Sequence, residues 1–191
     1  MSAAEGSGGE AKKISGITCI KCPLKSPAFN SAFIGVKSVF HYGVLEKIMA
    51  FHHDRISDWR ITVSPGAERH FKTIIERTRV TSRETIPEMA LSREDAEFKD
   101  KPSDLKVEKV SSVRRLGVWA RTSSLGFEGD PNFFKPMVGE KALKYPGITY
   151  FLGMYKGKPV ATSLACISGK IVGIFGVSTI PEARGRGSGK R

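Results

Sequence analysis

Apolar positions in the first part of the chain fall into short runs with two periods. ISGITCIKC, Ile14 to Cys22, alternates as a strand does, and Pro23 and Pro27 end the pattern. GVLEKIMAFHH, Gly43 to His53, places Val44, Leu45, Ile48, Met49 and Phe51 at the spacing of an amphipathic helix. DWRITVSP reads as a strand stopped by Pro65 and Gly66, and Ala67 to Val80 as a second helix burying Phe71, Ile74 and Ile75. ETIPEMAL is a poorer strand with Pro87 inside it, which suits an edge. This half is predicted to run β-α-β-α-β over residues 14–91, after a polar, flexible leader over residues 1–13.

SREDAEFKDKPSD, Ser92 to Asp104, is charged and carries a proline, and residues 92–103 are read as a linker. LKVEKV then alternates as a strand, and Ser111 or Ser112 can cap a helix carrying Val113, Leu116, Trp119 and Ala120. A shorter helical piece spans about Phe133 to Leu143. ITYFLGMY, VATSLACIS and IVGIFGVST follow as strands joined by turns at KGKP and SGK, too short for anything but antiparallel hairpins. Residues 104–191 are thus predicted to run β-α-α-β-β-β and to close on a glycine-rich loop.

Composition narrows the functional classes. At 191 residues and 40% hydrophobic content the chain can pack a core, and no run approaches the ~20 apolar residues of a membrane span. Cys19, Cys22 and Cys166 are too few for a disulfide framework, and the first residues have no secretory core, so a cytoplasmic setting is expected. The net charge of +12 is uneven: residues 131–191 carry 10 basic and 2 acidic side chains, a net of +8. That excess beside the loop favours an anionic ligand. The other reading is that the balancing acids lie further along a longer chain.

The order of elements, ending in GIFGVSTIPEARGRGSG, resembles the GNAT superfamily of acetyl-CoA-dependent N-acyltransferases over about residues 104–191. The family's signature is Arg or Gln, two residues, Gly, one residue, then Gly or Ala, and it falls on Arg184, Gly187 and Gly189. The resemblance implies an α/β (α+β) fold with a GNAT-like mixed, largely antiparallel sheet flanked by helices, preceded by a smaller GNAT-like half. It also implies a helix after the loop, for which only Lys190 and Arg191 remain. On this reading the domain is incomplete at its carboxy end, and the isolated chain binds acetyl-CoA weakly.

The chemistry explains the residue types. Successive backbone N–H groups can wrap the pyrophosphate of coenzyme A, and close approach demands glycine, which Gly185, Gly187 and Gly189 supply. Arg184 and Arg186 can add charge-assisted hydrogen bonds, and Ser188 lies between the glycines. By resemblance, Val177, Ser178 and Thr179 offer a strand edge to pantetheine, and the Val177 N–H polarises the thioester carbonyl. The implied reaction is direct attack of an unidentified amine, on a small molecule or a protein, upon acetyl-CoA, with no metal. The family's usual acid is a tyrosine beyond the loop, a position that Tyr145, Tyr150 and Tyr155 do not match. Glu128 and Asp130 are candidate amine-binding carboxylates. Two rival readings stay open: an inactive relic serving as a binding module, and a basic nucleic-acid binder whose GRGSGKR is a tail.

Other chemical-looking features read as packing. Cys19-x-x-Cys22 lacks a second pair for zinc and does not open a helix as a redox motif would. His52 and His53 end a helix, Trp59 and Trp119 read as core anchors, and Phe133 and Phe134 line an acceptor pocket or pack the second helical piece. Limited trypsin digestion is expected to cut first at Lys99 or Lys101. Earliest cutting within Leu105 to Val110 would place the linker elsewhere.

Overall fold

The computed structural model describes residues 9–53, 58–68, 71, 74, 82–96 and 104–185. They form two four-stranded sheets. The first contains β1 (Glu10–Ile14), β2 (Ile17–Lys21), β3 (Ser31–Ile34) and β4 (Arg60–Val63), in that order, with α1 (Tyr42–His52) between β3 and β4. β1, β2 and β3 pair antiparallel, whereas β3 and β4 are parallel, which is why a helix must carry the chain back between them. Ile17, Cys19, Ala32 and Ile34 meet Val44, Ile48 and Phe51 of α1 in one core, with Ala67 and Phe71 closing it.

This half departs from the sequence reading in three places. ISGITCIKC is not one strand: Ser15 and Gly16, at φ 51° and 83°, make a two-residue turn between β1 and β2. β1 lies mostly in the stretch read as leader, where a polar strand carrying Lys12 and Lys13 suits a sheet edge. Buried β3 was not anticipated, so the described order is β-β-β-α-β. ETIPEMAL forms no strand: Pro87 removes a ladder donor, and Met89, 98% exposed, finds no face to pack against. Most of the helix expected over Ala67 to Val80, and residues 97–103 of the expected linker, lie outside the described residues.

The second half agrees closely with its reading. β5 (Leu105–Lys109), β6 (Ile148–Tyr155), β7 (Lys158–Ser168) and β8 (Ile171–Thr179) form an antiparallel sheet in sequential order. Lys156 and Gly157, at φ 48° and 76°, turn β6 into β7, and Gly169, at φ 59°, starts the turn into β8. The chain between β5 and β6 carries α2 (Val113–Gly126), a 3-10 turn at Lys135–Met137 and α3 (Glu140–Leu143). Ser112 caps α2, its hydroxyl accepting from the Arg115 N–H at 3.3 Å. No described helix is long and apolar enough to cross a membrane.

The stretch between β2 and β3 ties the halves together. Cys19 lies in the first core, but Cys22 and Leu24 lie in the second, among Leu116, Trp119 and Leu152. Phe29 meets Phe133 and Phe134 at ring distances of 6.1 and 5.9 Å. Burying Leu24 contributes about 1.5–3 kcal/mol. The stretch keeps its shape through Asn30, fully buried, whose amide donates to the Leu24 carbonyl at 2.8 Å and the Ser26 carbonyl at 3.0 Å. Its side-chain oxygen accepts from the Cys22 N–H at 2.8 Å. Asn30→Ala removes all three bonds from a buried setting and is expected to lower unfolding stability by about 2–3 kcal/mol in a urea titration. A loss below about 0.5 kcal/mol would show that the stretch holds itself.

Candidate functional site

The site is built where β8 leaves the sheet. Among the described residues no strand pairs with the outer edge of β8. On its inner side the register with β7 slips once: Ser178 faces Thr162 and Phe175 faces Leu164, so Gly176 and Val177 together stand across from Ser163. Such a bulge bends the strand and re-aims its backbone. Three contacts hold it. The Trp119 indole N–H donates to the Ser163 carbonyl at 3.0 Å, and the Thr162 hydroxyl donates to the Gly176 carbonyl at 2.9 Å. The Thr162 and Ser178 hydroxyls lie 2.8 Å apart. Gly176 sits at φ 58°, and a Cβ there would stand 3.3 Å from the Trp119 ring, so glycine fits both the conformation and the space.

The end of α2 presses on the same strand. A Cβ on Gly126 would stand 2.4 Å from Ser178 Oγ and 2.7 Å from its Cβ, so helix backbone touches strand side chain directly. Buried Ser123 and Ser124 belong to the same close-packed end of the helix. Ser123, Ser124 and Gly126, three small residues in the last turn of an amphipathic helix, are the sequence signal that could have marked this contact.

Past β8 the chain makes a 3-10 turn at Pro181–Ala183, anchored by the Ile180 N–H on the Val160 carbonyl at 2.9 Å and by buried Ala183 against Leu105 and Val160. The Arg184 side chain, still exposed, then reaches back to the end of α2. Its Nε donates to the Thr179 carbonyl at 3.1 Å, its Nη2 donates to the Gly126 carbonyl at 2.8 Å, and its Nη1 pairs with the Glu128 carboxylate. Gly185 follows at φ 75°, and among the described residues no atom lies within 4 Å of where its Cβ would stand. Arg186, Gly187, Ser188 and Gly189 lie outside the described residues.

Glu128 has its own peculiarity. α2 ends with the Glu128 N–H on the Leu125 carbonyl and the Gly129 N–H on the Ser124 carbonyl, each at 3.0 Å, the double bond of a Schellman cap. That cap places Glu128 where glycine usually stands, at φ 56°. Left-handed backbone costs a non-glycine residue roughly 1–2 kcal/mol, whereas an ion pair as exposed as Arg184–Glu128 returns about 0–1 kcal/mol.

The structure thus brings Val177, Ser178, Thr179, Arg184 and Gly185 to one corner. Val177 is 52% exposed, Ser178 is buried and Thr179 is partly buried. Arg184, expected to face phosphate, spends its described contacts on protein groups. Neither candidate carboxylate is loose: Glu128 holds Arg184, and Asp130 accepts from the Asn132 N–H at 2.8 Å. Phe134 is buried between Phe29 and Trp119 as a packing residue. Tyr150 packs edge-on to Trp119, and burial, then the nearby Cys166, raises its pKa, which keeps the phenol neutral. Burial pushes the Cys19 thiol up to about 11, Lys12 pulling the other way, so it makes a poor nucleophile. His52 stacks on Trp59 at 4.6 Å with the rings 4° from parallel. Among the described residues no three His, Cys, Asp or Glu side chains gather as a metal site. A cavity of about 520 Å³ opens elsewhere, lined by Lys12, Lys13, Ile14, Ser15, Lys47, Ala50 and Phe51.

No protein-family model matches the sequence, and no curated protein matches it. A solved structure described as a GCN5-related N-acetyltransferase from Kribbella flavida is similar to this chain, with a TM-score of 0.64 and 17% sequence identity. The match covers 97% of this chain and 72% of that one, so it takes in both sheets. At that identity the likeness is one of fold: the chain has a mixed α+β architecture of the GNAT kind.

Proposed function

We propose that this chain is a GNAT-type N-acetyltransferase that binds acetyl-CoA along the outer edge of β8 and delivers the acetyl group to an amine. The observation that carries this reading is the conjunction at one strand end: an edge without a partner among the described residues, a bulge at Gly176–Val177, and a left-handed Gly185 opening the glycine-rich loop. Pantetheine is an amide chain and can lie against such an edge as an added strand. Its carbonyls and N–H groups pair with the backbone around Val177, Ser178 and Thr179. The Val177 N–H, turned at the bulge, serves the thioester oxygen as an oxyanion donor. Gly185, Arg186, Gly187, Ser188 and Gly189 supply the N–H groups that wrap the pyrophosphate. The amine attacks the thioester carbon, a C–N bond forms, the C–S bond breaks, and the amine's proton passes to solvent as the thiolate gains one. A cytoplasmic location accords with the lack of any disulfide among Cys19, Cys22 and Cys166.

A second reading, a module that binds acetyl-CoA without turning it over, draws support from the engagement of Glu128 and Asp130, which leaves neither as a ready base. Release of coenzyme A thiol in the presence of a panel of amines separates the two readings. Binding itself is tested by isothermal titration of acetyl-CoA into the wild type and the Gly187→Val and Gly189→Val variants. Each side chain occupies space that the phosphate needs, and each variant is expected to bind at least about tenfold more weakly, or ~1.4 kcal/mol. Equal dissociation constants in all three proteins would remove the loop from the site.

A further inference from the structure

Among the described residues, two hairpin turns account for the other left-handed non-glycine residues: Ser15 and Lys156 each open a tight turn and each precede a glycine. Glu128 is different. It occupies the C′ position of the α2 cap, where glycine would relieve the backbone at no cost to the cap's two hydrogen bonds. What glycine could not supply is a carboxylate, and the carboxylate meets the guanidinium of Arg184, 56 residues further along. The same guanidinium bonds the last carbonyl of α2, at Gly126, and the last carbonyl of β8, at Thr179. Arg184 is therefore a three-way clamp between helix end, strand end and loop start, and Glu128 is its one charged partner among the described residues.

We infer that Glu128 is a positioning residue that holds a strained backbone in order to fix Arg184, and through it the direction in which the glycine-rich loop leaves β8. The inference rests on the reading of that loop as the acetyl-CoA seat. Strain kept at a site for function has a recognisable signature: relieving it raises stability and lowers function. An exposed ion pair retained for stability alone would show the reverse on removal. The clamp acts through the backbone at Ala183, Arg184 and Gly185. The Ala183 and Arg184 N–H groups bond the Ile180 and Pro181 carbonyls at 3.0 and 3.1 Å, so these two amides are the ones whose exchange reports on the clamp.

The test is Glu128→Gly in the full chain, read three ways beside wild type, Glu128→Gln and Arg184→Ala. The melting temperature of Glu128→Gly is expected to rise by a few degrees. Amide exchange at Ala183 and Arg184, followed by NMR without ligand, is expected to quicken several-fold while the β6 and β7 amides do not quicken. Affinity for acetyl-CoA is expected to fall roughly five- to tenfold. Glu128→Gln, which keeps an acceptor but not the charge, should fall between. The affinity loss in the Glu128→Gly, Arg184→Ala double variant should match that of Arg184→Ala alone, because both changes release one clamp. A lower melting temperature in Glu128→Gly, or unchanged exchange at Ala183 and Arg184, would overturn the inference. If wild type does not bind acetyl-CoA, the proposed function fails, and the melting and exchange arms still decide whether Glu128 positions the loop start.

Discussion

The second half of the molecule depends on one contact without slack: the backbone of Gly126, at the end of α2, lies directly on the Ser178 side chain of β8, where a Cβ would stand 2.4 Å from the hydroxyl. Close packing of this kind fixes distance more firmly than hydrogen bonds do, because the repulsive wall is steep. Two turns earlier on the same helix, Trp119 lies over Gly176 and donates to the Ser163 carbonyl. Helix and strand therefore meet at two glycines, and between them β8 has one residue too many for its ladder. The bulge follows, with Val177 lacking a register partner in β7 and the strand end brought against the C-terminus of α2. Arg184 can then reach the Gly126 carbonyl and the Glu128 carboxylate together.

The first half contributes by burial. Loops rarely penetrate a core, because their backbone groups need partners. The stretch from Cys22 to Asn30 does so because Asn30 supplies side-chain partners for its backbone. Leu24 and Phe29 thereby pack beneath the helix that carries Trp119, behind the wall that shapes the bulge. The Cys-x-x-Cys spacing has a packing explanation here: its two thiols occupy two different cores on either side of the end of β2.

What could be read from the sequence followed from how local each signal was. β6, β7 and β8 were legible because each hairpin turn lies between its two strands, and α2 because its cap and apolar face fall within one window. β1 was not, since Ala11, Lys12 and Lys13 have no strand signature of their own and owe their conformation to β2. β3 is four residues long and mostly buried, too short for any period to show. ETIPEMAL had the composition of a strand but no partner surface. At the site, the glycines of the loop announced themselves by type and spacing. The roles of Gly126, Thr162 and Glu128 did not, because each comes from a contact with a residue 16 to 56 positions away in sequence or across a packed interface.

The central claim is that the exit of β8, and not the lysine-lined cavity of the first half, receives acetyl-CoA. The most direct measurement is a residue-by-residue amide chemical-shift map of the 15N-labelled chain as acetyl-CoA is added, which reads weak binding as readily as tight binding. The account expects the largest shifts at Val177, Ser178 and Thr179 and from Gly185 to Gly189, with β1 and α1 unmoved. Shifts confined to Lys12–Ser15 and Lys47–Phe51, or none at Val177 and Gly185 at saturating ligand, would contradict it.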